Sequence, residues 1–321
     1  MKAIVQDTYG SADVLALREI EQPEVGEDEV RIRVAAAGVD RGAWHLMTGV
    51  PYLMRILGVG LRAPKARVPG TKAAGYVDAV GAGVTRFQLG DAVYGTCRGA
   101  FAEYACARED QFAPKPVEMT FEQAAGVPHG GFAALQALRD HGKVRPGQRV
   151  LIVGASGAVG SMAVQLAKAF DADVTGVCST SKVDMVTALG ADRVIDYTND
   201  DFLDGTRYDP ILDVGGSSPL SRLRRALTPK GTLVIVGGEG GGSWTGIGRQ
   251  LRALVLSPFV SQKLCTFVAK EKAQDLLVLN EHIEAGRITP TVGRAYPLSD
   301  TPDAVRDLES GQTRGRIVVT I

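Results

Sequence analysis

The hydrophobic pattern divides the chain into two rhythms. Up to about Thr120, short apolar runs alternate with polar residues at a period of two, which marks half-buried strands. Lys2–Val5 opens the series, and Glu29–Ala37 (EVRIRVAAA) is its longest member. Gly75–Val80, Asp91–Tyr94, Phe101–Cys106 and Gln111–Ala113 follow, punctuated by Gly81, Gly83 and Gly90. The pattern predicts a small, twisted antiparallel or barrel-like domain. Trp44–Lys65 fits neither a strand nor a helix period and reads as a mobile loop with short helical turns.

Beyond Thr120 the period lengthens. Phe121–His141 is helix-like and Gln148–Val153 is a short apolar strand. Strands are then predicted at Val174–Cys178, Arg193–Asp196, Pro210–Asp213, Thr232–Val236 and Leu264–Val268. Helices fall between them at Gly160–Phe170, Lys182–Leu189, Pro219–Ala226 and about Gly246–Leu256. Alternation of this kind implies a doubly wound parallel sheet, so the fold class is α/β. From Lys270 the chain gives a helix, a strand at Thr291–Tyr296, a helix at Thr301–Glu309 and a strand at Arg316–Ile321, which return to the first domain. The domains expected are 1–122 with 270–321, and 123–269.

Composition narrows the function classes. The 321 residues exceed the length at which single cores stop growing, in keeping with two domains. Thirty-six basic residues balance 36 acidic ones, so the basic excess of a nucleic-acid binder is absent. No apolar run reaches the ~18–20 residues of a membrane span, and MKAIVQDTYG lacks the apolar stretch of a signal peptide. The four cysteines, Cys97, Cys106, Cys178 and Cys265, form no CxxC pair. A cytoplasmic protein with reduced, buried thiols is expected.

The strongest motif is Gly154-Ala155-Ser156-Gly157-Ala158-Val159-Gly160, between the strand RVLIV and the helix SMAVQLAKAF. Strand, glycine turn and helix N-terminus are the parts of a dinucleotide site: the turn admits the pyrophosphate and the helix dipole favours its charge. The strict pattern is GxGxxG; here Ala155 replaces its first glycine. A nucleophile elbow, GxSxG, competes at Ser156, but Ala158 replaces its second glycine and only His282 follows as a triad histidine. In NAD sites an acidic residue about 20 positions on binds the ribose. No carboxylate stands between Val174 and Val183; Ser179, Thr180, Ser181 and Lys182 stand there instead. Hydroxyls and an ammonium suit a 2′-phosphate, which favours NADPH, though the hydroxyls could equally cap the next helix.

With those residues in view, the chain resembles the medium-chain dehydrogenase/reductase superfamily, in its zinc-free quinone oxidoreductase-like branch. The resemblance rests on AAAGVD (35–40), PGTKAAGYVDAVGAGVTRFQLGDAVYG (69–95), AEYA (102–105), RPGQRVLIVGASGAVGSMAVQLAK (145–168), LGADRVIDY (189–197) and TRGRIVV (313–319). It implies a GroES-like β-rich catalytic domain, a Rossmann domain and an active site in the cleft between them. It also implies pyrophosphate contacts from Ser156, Gly157, Ala158 and Val159, and 2′-phosphate contacts from Ser179, Lys182 and Tyr197. Val236, Gly237 and Gly238 would fall near the nicotinamide, and Arg314, Gly315 and Arg316 would close over the cofactor. A homodimer is expected from the resemblance and from the exposed edge of a strand at Leu264–Val268.

Zinc-dependent members hold their metal at three places that here carry Asp40, Thr71 followed by Lys72, and His129. A catalytic zinc needs three good ligands, and Thr71 beside an ammonium is a poor one. Metal: none is therefore the expectation. Without zinc to polarise a carbonyl, hydride should go to an acceptor that is already electron-poor, a quinone or an α,β-unsaturated carbonyl. Tyr52, His129, Asp40 or solvent could supply the proton; a loop residue, a core histidine and a turn residue are the plainer readings of those three side chains. Trp44, Met47, Tyr52, Leu53, Ile56 and Leu57 form an apolar stripe; such a stripe is more often core, but its loop-like setting beside Asp40 points to the wall of a substrate pocket. The alternatives kept open are an alcohol dehydrogenase or carbonyl reductase of the same superfamily, and an NADPH-binding protein without catalysis.

The cofactor reading carries a direct test. A charge-assisted hydrogen bond contributes about 1.5–3 kcal/mol, and a half-exposed lysine belongs at the low end. Lys182→Ala should raise the KM for NADPH about tenfold and leave that for NADH nearly unchanged. Ser179→Asp should do more, by repelling the phosphate. Steady-state kinetics with both cofactors decide, and equal weakening of both by Lys182→Ala would overturn the assignment.

Overall fold

The computed structural model describes residues 1–237, 244, 247–313 and 315–321, so the expected cofactor contacts Gly238 and Arg314 lie outside the described residues. The chain forms two units, 1–129 with 271–284 and 289–321, and 130–270 with 285–288.

In the first unit, β1 (Lys2–Val5) and β2 (Ala16–Glu19) pair antiparallel. A larger sheet gathers β3 (Glu29–Val39), β4 (Lys72–Val80), β5 (Ala92–Thr96), β6 (Tyr104–Arg108), β7 (Phe112–Pro114) and the tail strands Val292–Pro297 and Arg316–Thr320. β3 organises it. One edge pairs with β4; the other pairs with β6 along its first half and with the C-terminal strand along its second. Its alternation explains the burial: Val30, Ile32 and Val34 enter the core, while Arg31 faces out and pairs with Asp78 at 2.7 Å. At Ala36–Val39 both faces are covered and the alternation stops.

The segment predicted as a mobile loop begins instead with a helix, α1 (Arg41–Thr48). Asp40 caps it, accepting from the Ala43 amide at 2.7 Å, and Gly49 closes it in the left-handed conformation. Its buried stripe is only Ala43 and Met47, one turn apart, too short a repeat to register as a helical period in a glycine-rich stretch. Met47 belongs to the core at 2% exposure, so it packs the sheet and is no pocket wall. Trp44 lies half-buried against the same core, its indole N–H donating to Glu309 at 2.6 Å. α2 (Phe121–Gln136) starts in this unit and ends in the next.

The second unit holds six parallel strands, β8 (Arg149–Val153), β9 (Asp173–Cys178), β10 (Arg193–Asp196), β11 (Tyr208–Asp213), β12 (Leu227–Ile235) and β13 (Lys263–Thr266), with helices α3 (Ala158–Ala169), α4 (Val183–Ala188), α5 (Leu220–Ala226) and α6 (Gly248–Leu256). The sheet order is β10-β9-β8-β11-β12-β13. The order reverses between β8 and β11, and in open α/β sheets ligands bind beyond the strand ends at such a switch. Leu151, Ile211 and Leu233 are fully buried, each adding about 1.5–3 kcal/mol by leaving water.

Ala155, the residue that breaks the strict glycine fingerprint, is accommodated by Gly176 on β9. A Cβ at Gly176 would stand 3.0 Å from the Ala155 methyl and 2.6 Å from Val186 Cγ1. The space that the fingerprint reserves at one position is here reserved at its neighbour. Gly176→Ala should lower unfolding stability by about 1–3 kcal/mol through overpacking, and adding Ala155→Gly should recover part of it. Urea denaturation of the two variants checks this.

Candidate functional site

In the second unit the glycine turn leaves β8 through Gly154, whose φ is +85°. The Gly154 and Ala155 amides both donate to the Val177 carbonyl at 3.0 Å, which ties the turn to β9. Gly160 lets α3 come down on the turn, since a Cβ there would meet the Gly154 carbonyl oxygen at 2.1 Å. Gly157 is the N-cap of α3, and no side chain caps the helix. Ser156, Gly157, Ala158 and Val159 thus come together, partly or fully exposed, around a helix N-terminus open to an anion.

The residues expected at a 2′-phosphate gather where β9 and β10 end, with Asp196 paired beside Cys178. Ser179 opens a tight turn in which the Lys182 amide donates to its carbonyl at 2.9 Å. Ser179 and Lys182 are half-buried, and Tyr197 is exposed with its amide on the Cys178 carbonyl at 3.1 Å. Thr180 does something else: its hydroxyl donates to Asp196 at 2.6 Å. The Thr198 hydroxyl and amide and the Asn199 side chain complete the ring of donors, at 2.7, 3.0 and 2.7 Å. These hydrogen bonds, that of Thr180 foremost, hold the Asp196 carboxyl below its ordinary pKa. The carboxylate therefore faces inward on its own loop. It escaped notice in the sequence because it comes from the next strand rather than from the end of β9.

The expected nicotinamide segment leaves β12 with the Val236 and Gly237 amides on the Asp213 carbonyl, at 3.0 and 3.3 Å. Asp213 ends β11 fully buried, and burial pushes its carboxyl above the ordinary carboxylate range. It is ion-paired with Arg249 of α6, whose other nitrogen donates to the Ser218 carbonyl at 2.5 Å. This buried pair, which braces the loops after β11 and β12, was also missed. Its only trace in the sequence is an aspartate closing the apolar run PILD.

In the first unit, Gly38 of β3 lets α2 approach: a Cβ there would stand 2.7 Å from the Ala125 carbonyl oxygen. One consequence is that Asp40 and His129, 89 residues apart, come together, with His129 Nδ1 at 3.3 Å from Asp40 Oδ2. Asp40 is 6% exposed and His129 30%. Asp40 thus accepts a backbone amide, as the plainer reading expected, but as the cap of a helix rather than in a turn, and it is also the neighbour of an accessible imidazole. Lys72 is buried and bonds Glu271 at 2.5 Å, a pairing across 199 residues that no local spacing announces. Tyr52 and Arg55 stack at 4.8 Å. Leu53 is half-buried, and Ile56 and Leu57 are exposed. Gly315 takes a φ of +90°, and Arg316 is buried, donating to the Thr291 carbonyl at 3.4 Å; burial pushes its pKa down to about 10.

Residues 26–117 match the alcohol dehydrogenase GroES-like domain, and residues 189–319 match the zinc-binding dehydrogenase family. The 2-methylene-furan-3-one reductase of Solanum lycopersicum is 31% identical, with 99% of this chain and 79% of that protein covered. The chloroplastic NADPH-dependent alkenal/one oxidoreductase of Arabidopsis thaliana is 32% identical over the same shares. The Escherichia coli quinone oxidoreductase, solved with NADPH, superposes with a TM-score of 0.85 at 25% identity over 100% of both chains.

The matched family is named for zinc, so the donor set matters. Asp40 already caps α1 and faces His129, Thr71 offers only a hydroxyl, and the Lys72 ammonium that follows it is taken by Glu271. Among the described residues no three His, Cys, Asp or Glu side chains converge as a metal site. These residues do not fit a catalytic zinc. The purified protein should hold no stoichiometric zinc by elemental analysis and keep its activity in chelator; one tightly bound zinc per chain would contradict this.

Proposed function

This chain belongs to the medium-chain dehydrogenase/reductase superfamily and is an NAD(P)-dependent oxidoreductase of its quinone and enone branch; from that premise we propose that it reduces electron-poor acceptors with NADPH and without zinc. The observation that carries the zinc-free reading is that Asp40 and His129 come together with Thr71 in place of a third ligand, and no third His, Cys, Asp or Glu side chain converges on them among the described residues. The NADPH reading is supported by Ser179, Lys182 and Tyr197 at the ends of β9 and β10, and by an Asp196 whose charge is spent on its own loop. When bound, the nicotinamide supplies a hydride.

The chain's own residues do the rest. Backbone amides at the start of α3 hold the pyrophosphate. Asp213 and Arg249 fix the loop that carries Val236 and Gly237. Proton supply falls to His129. Asp40 engages Nδ1 and sets the ring plane, which leaves Nε2 as the nitrogen that hands over a proton. Tyr52 is the weaker candidate because its ring is committed to Arg55.

The acceptor class is supported by a donor set that does not fit zinc and by relatives named for enones and quinones. An enone or a quinone is electron-poor enough to take hydride without Lewis-acid help, whereas a simple ketone needs its oxygen polarised by a metal or by a well-placed acid. The exposed stripe Leu251, Leu254, Val255 and Phe259, beside the edge strand β13, supports a homodimer. A monomer by light scattering at micromolar concentration would contradict it. Four free cysteines, three of them buried, support a reducing, cytoplasmic compartment.

His129→Asn should slow enone reduction by about 10²-fold or more, the range of a lost general acid. Quinone reduction should fall much less, because a quinol oxygen takes its proton readily from water. The dissociation constant of NADPH should stay unchanged by fluorescence titration. Equal loss with both acceptors, or unchanged turnover with both, would contradict the role.

A further inference from the structure

The segment between Asp40 and Asp78 contains six lysines and arginines and no acidic residue, in a chain whose formal net charge is zero. Most of these cations are occupied. Arg67 pairs with Asp7 at 2.6 Å, Lys72 pairs with Glu271, and Arg41 lies over the Trp44 ring. Arg55 donates to the Gly49 and Thr48 carbonyls at 2.8 and 3.0 Å and stacks on Tyr9 at 4.2 Å. Arg62 and Lys65 are different: both are exposed, and neither makes an ion pair among the described residues.

Beside them the chain turns three large apolar side chains to solvent. Ile56 is 68% exposed, Leu57 75% and Leu61 71%. The base of this projection is tied down. The Tyr9 hydroxyl donates to the Gly60 carbonyl at 2.7 Å, the Lys65 amide to the Val59 carbonyl at 2.9 Å, and the Gln6 amide to the Arg67 carbonyl at 2.8 Å. Three hydrogen bonds thus fasten the segment at its foot, while an apolar tip with two uncompensated cations is exposed. Lone exposed leucines are ordinary; three on one fastened turn, rimmed by cations in an acid-free stretch, mark a contact surface.

We propose that this turn is a membrane-surface contact, in which Ile56, Leu57 and Leu61 enter the headgroup boundary and Arg62 and Lys65 meet anionic lipid. The chemistry is that of an interfacial anchor: apolar burial too small to hold alone, joined to charge attraction. An anionic bilayer satisfies both halves of the surface. No helix among the described residues is long and apolar enough to cross a membrane, so the contact is peripheral. The inference extends the preceding reading by naming where the acceptor is met: lipophilic quinones and long-chain alkenals dissolve in the bilayer, and Ile56 and Leu57 also belong to the stripe assigned to the acceptor pocket.

The test separates docking from catalysis. The full-length protein is sedimented with phosphatidylcholine vesicles, with and without phosphatidylglycerol. Binding is expected only with the anionic lipid, and release at raised salt. Each basic residue near such a surface contributes about 1 kcal/mol, so Arg62→Glu with Lys65→Glu should weaken vesicle partitioning by at least about tenfold. The same variant should reduce a water-soluble benzoquinone as the parent does, which also shows that it folds. Leu61→Ser should weaken partitioning without changing its salt dependence. Equal binding to neutral and anionic vesicles, no binding to either, or undiminished binding by the charge-reversed variant would overturn the proposal. Failure of the parent protein to reduce the soluble quinone would count against the proposed reaction and leave the docking result standing.

Discussion

The Asp40 carboxylate has two oxygens and two tasks. One oxygen accepts the Ala43 amide and starts α1; the other faces His129 on α2. The second depends on the close approach of α2 to the end of β3, which Gly38 permits. A side chain at Gly38 would push the helix away, separate the pair and leave a buried carboxylate without its imidazole, a costly state for a group taken out of water. A backbone packing constraint thereby becomes a chemical one. The packing of two backbones brings a carboxylate and an imidazole together.

The cofactor half obeys a similar logic. Its glycine turn departs from the strict fingerprint at Ala155, and Gly176 on the adjacent strand gives the methyl its room. A short motif records only half of such an exchange; the other half sits on a neighbouring strand, and only the register reveals it. The Asp196 loop teaches the same point. An acidic residue does stand near the expected phosphate position, but its lone pairs are taken by Thr180, Thr198 and Asn199. Counting carboxylates along the sequence does not distinguish a charge offered to a ligand from one consumed at home.

Period and punctuation made much of the architecture legible. The alternation in Glu29–Ala37 and the strand–helix rhythm after Gln148 correspond to β3 and to the parallel sheet, because burial on one face or on both writes itself into residue type. α1 was not legible, since its buried stripe is two residues among glycines. Met47 was assigned with the pocket because an apolar stripe does not say which side of a helix it serves. The Lys72–Glu271 and Asp213–Arg249 pairs join residues far apart in sequence, and nothing local signals them. Asp40 and His129 were legible as candidates and not as a pair.

In the proposed reaction hydride reaches an electron-poor carbon without metal activation of a carbonyl. The most direct measurement supplies the enzyme with NADPH deuterated at the transferring position and a simple enone, then locates the deuterium in the product by NMR. The proposed reaction gives a saturated ketone labelled at the carbon β to the carbonyl. An allylic alcohol labelled at the former carbonyl carbon would contradict it.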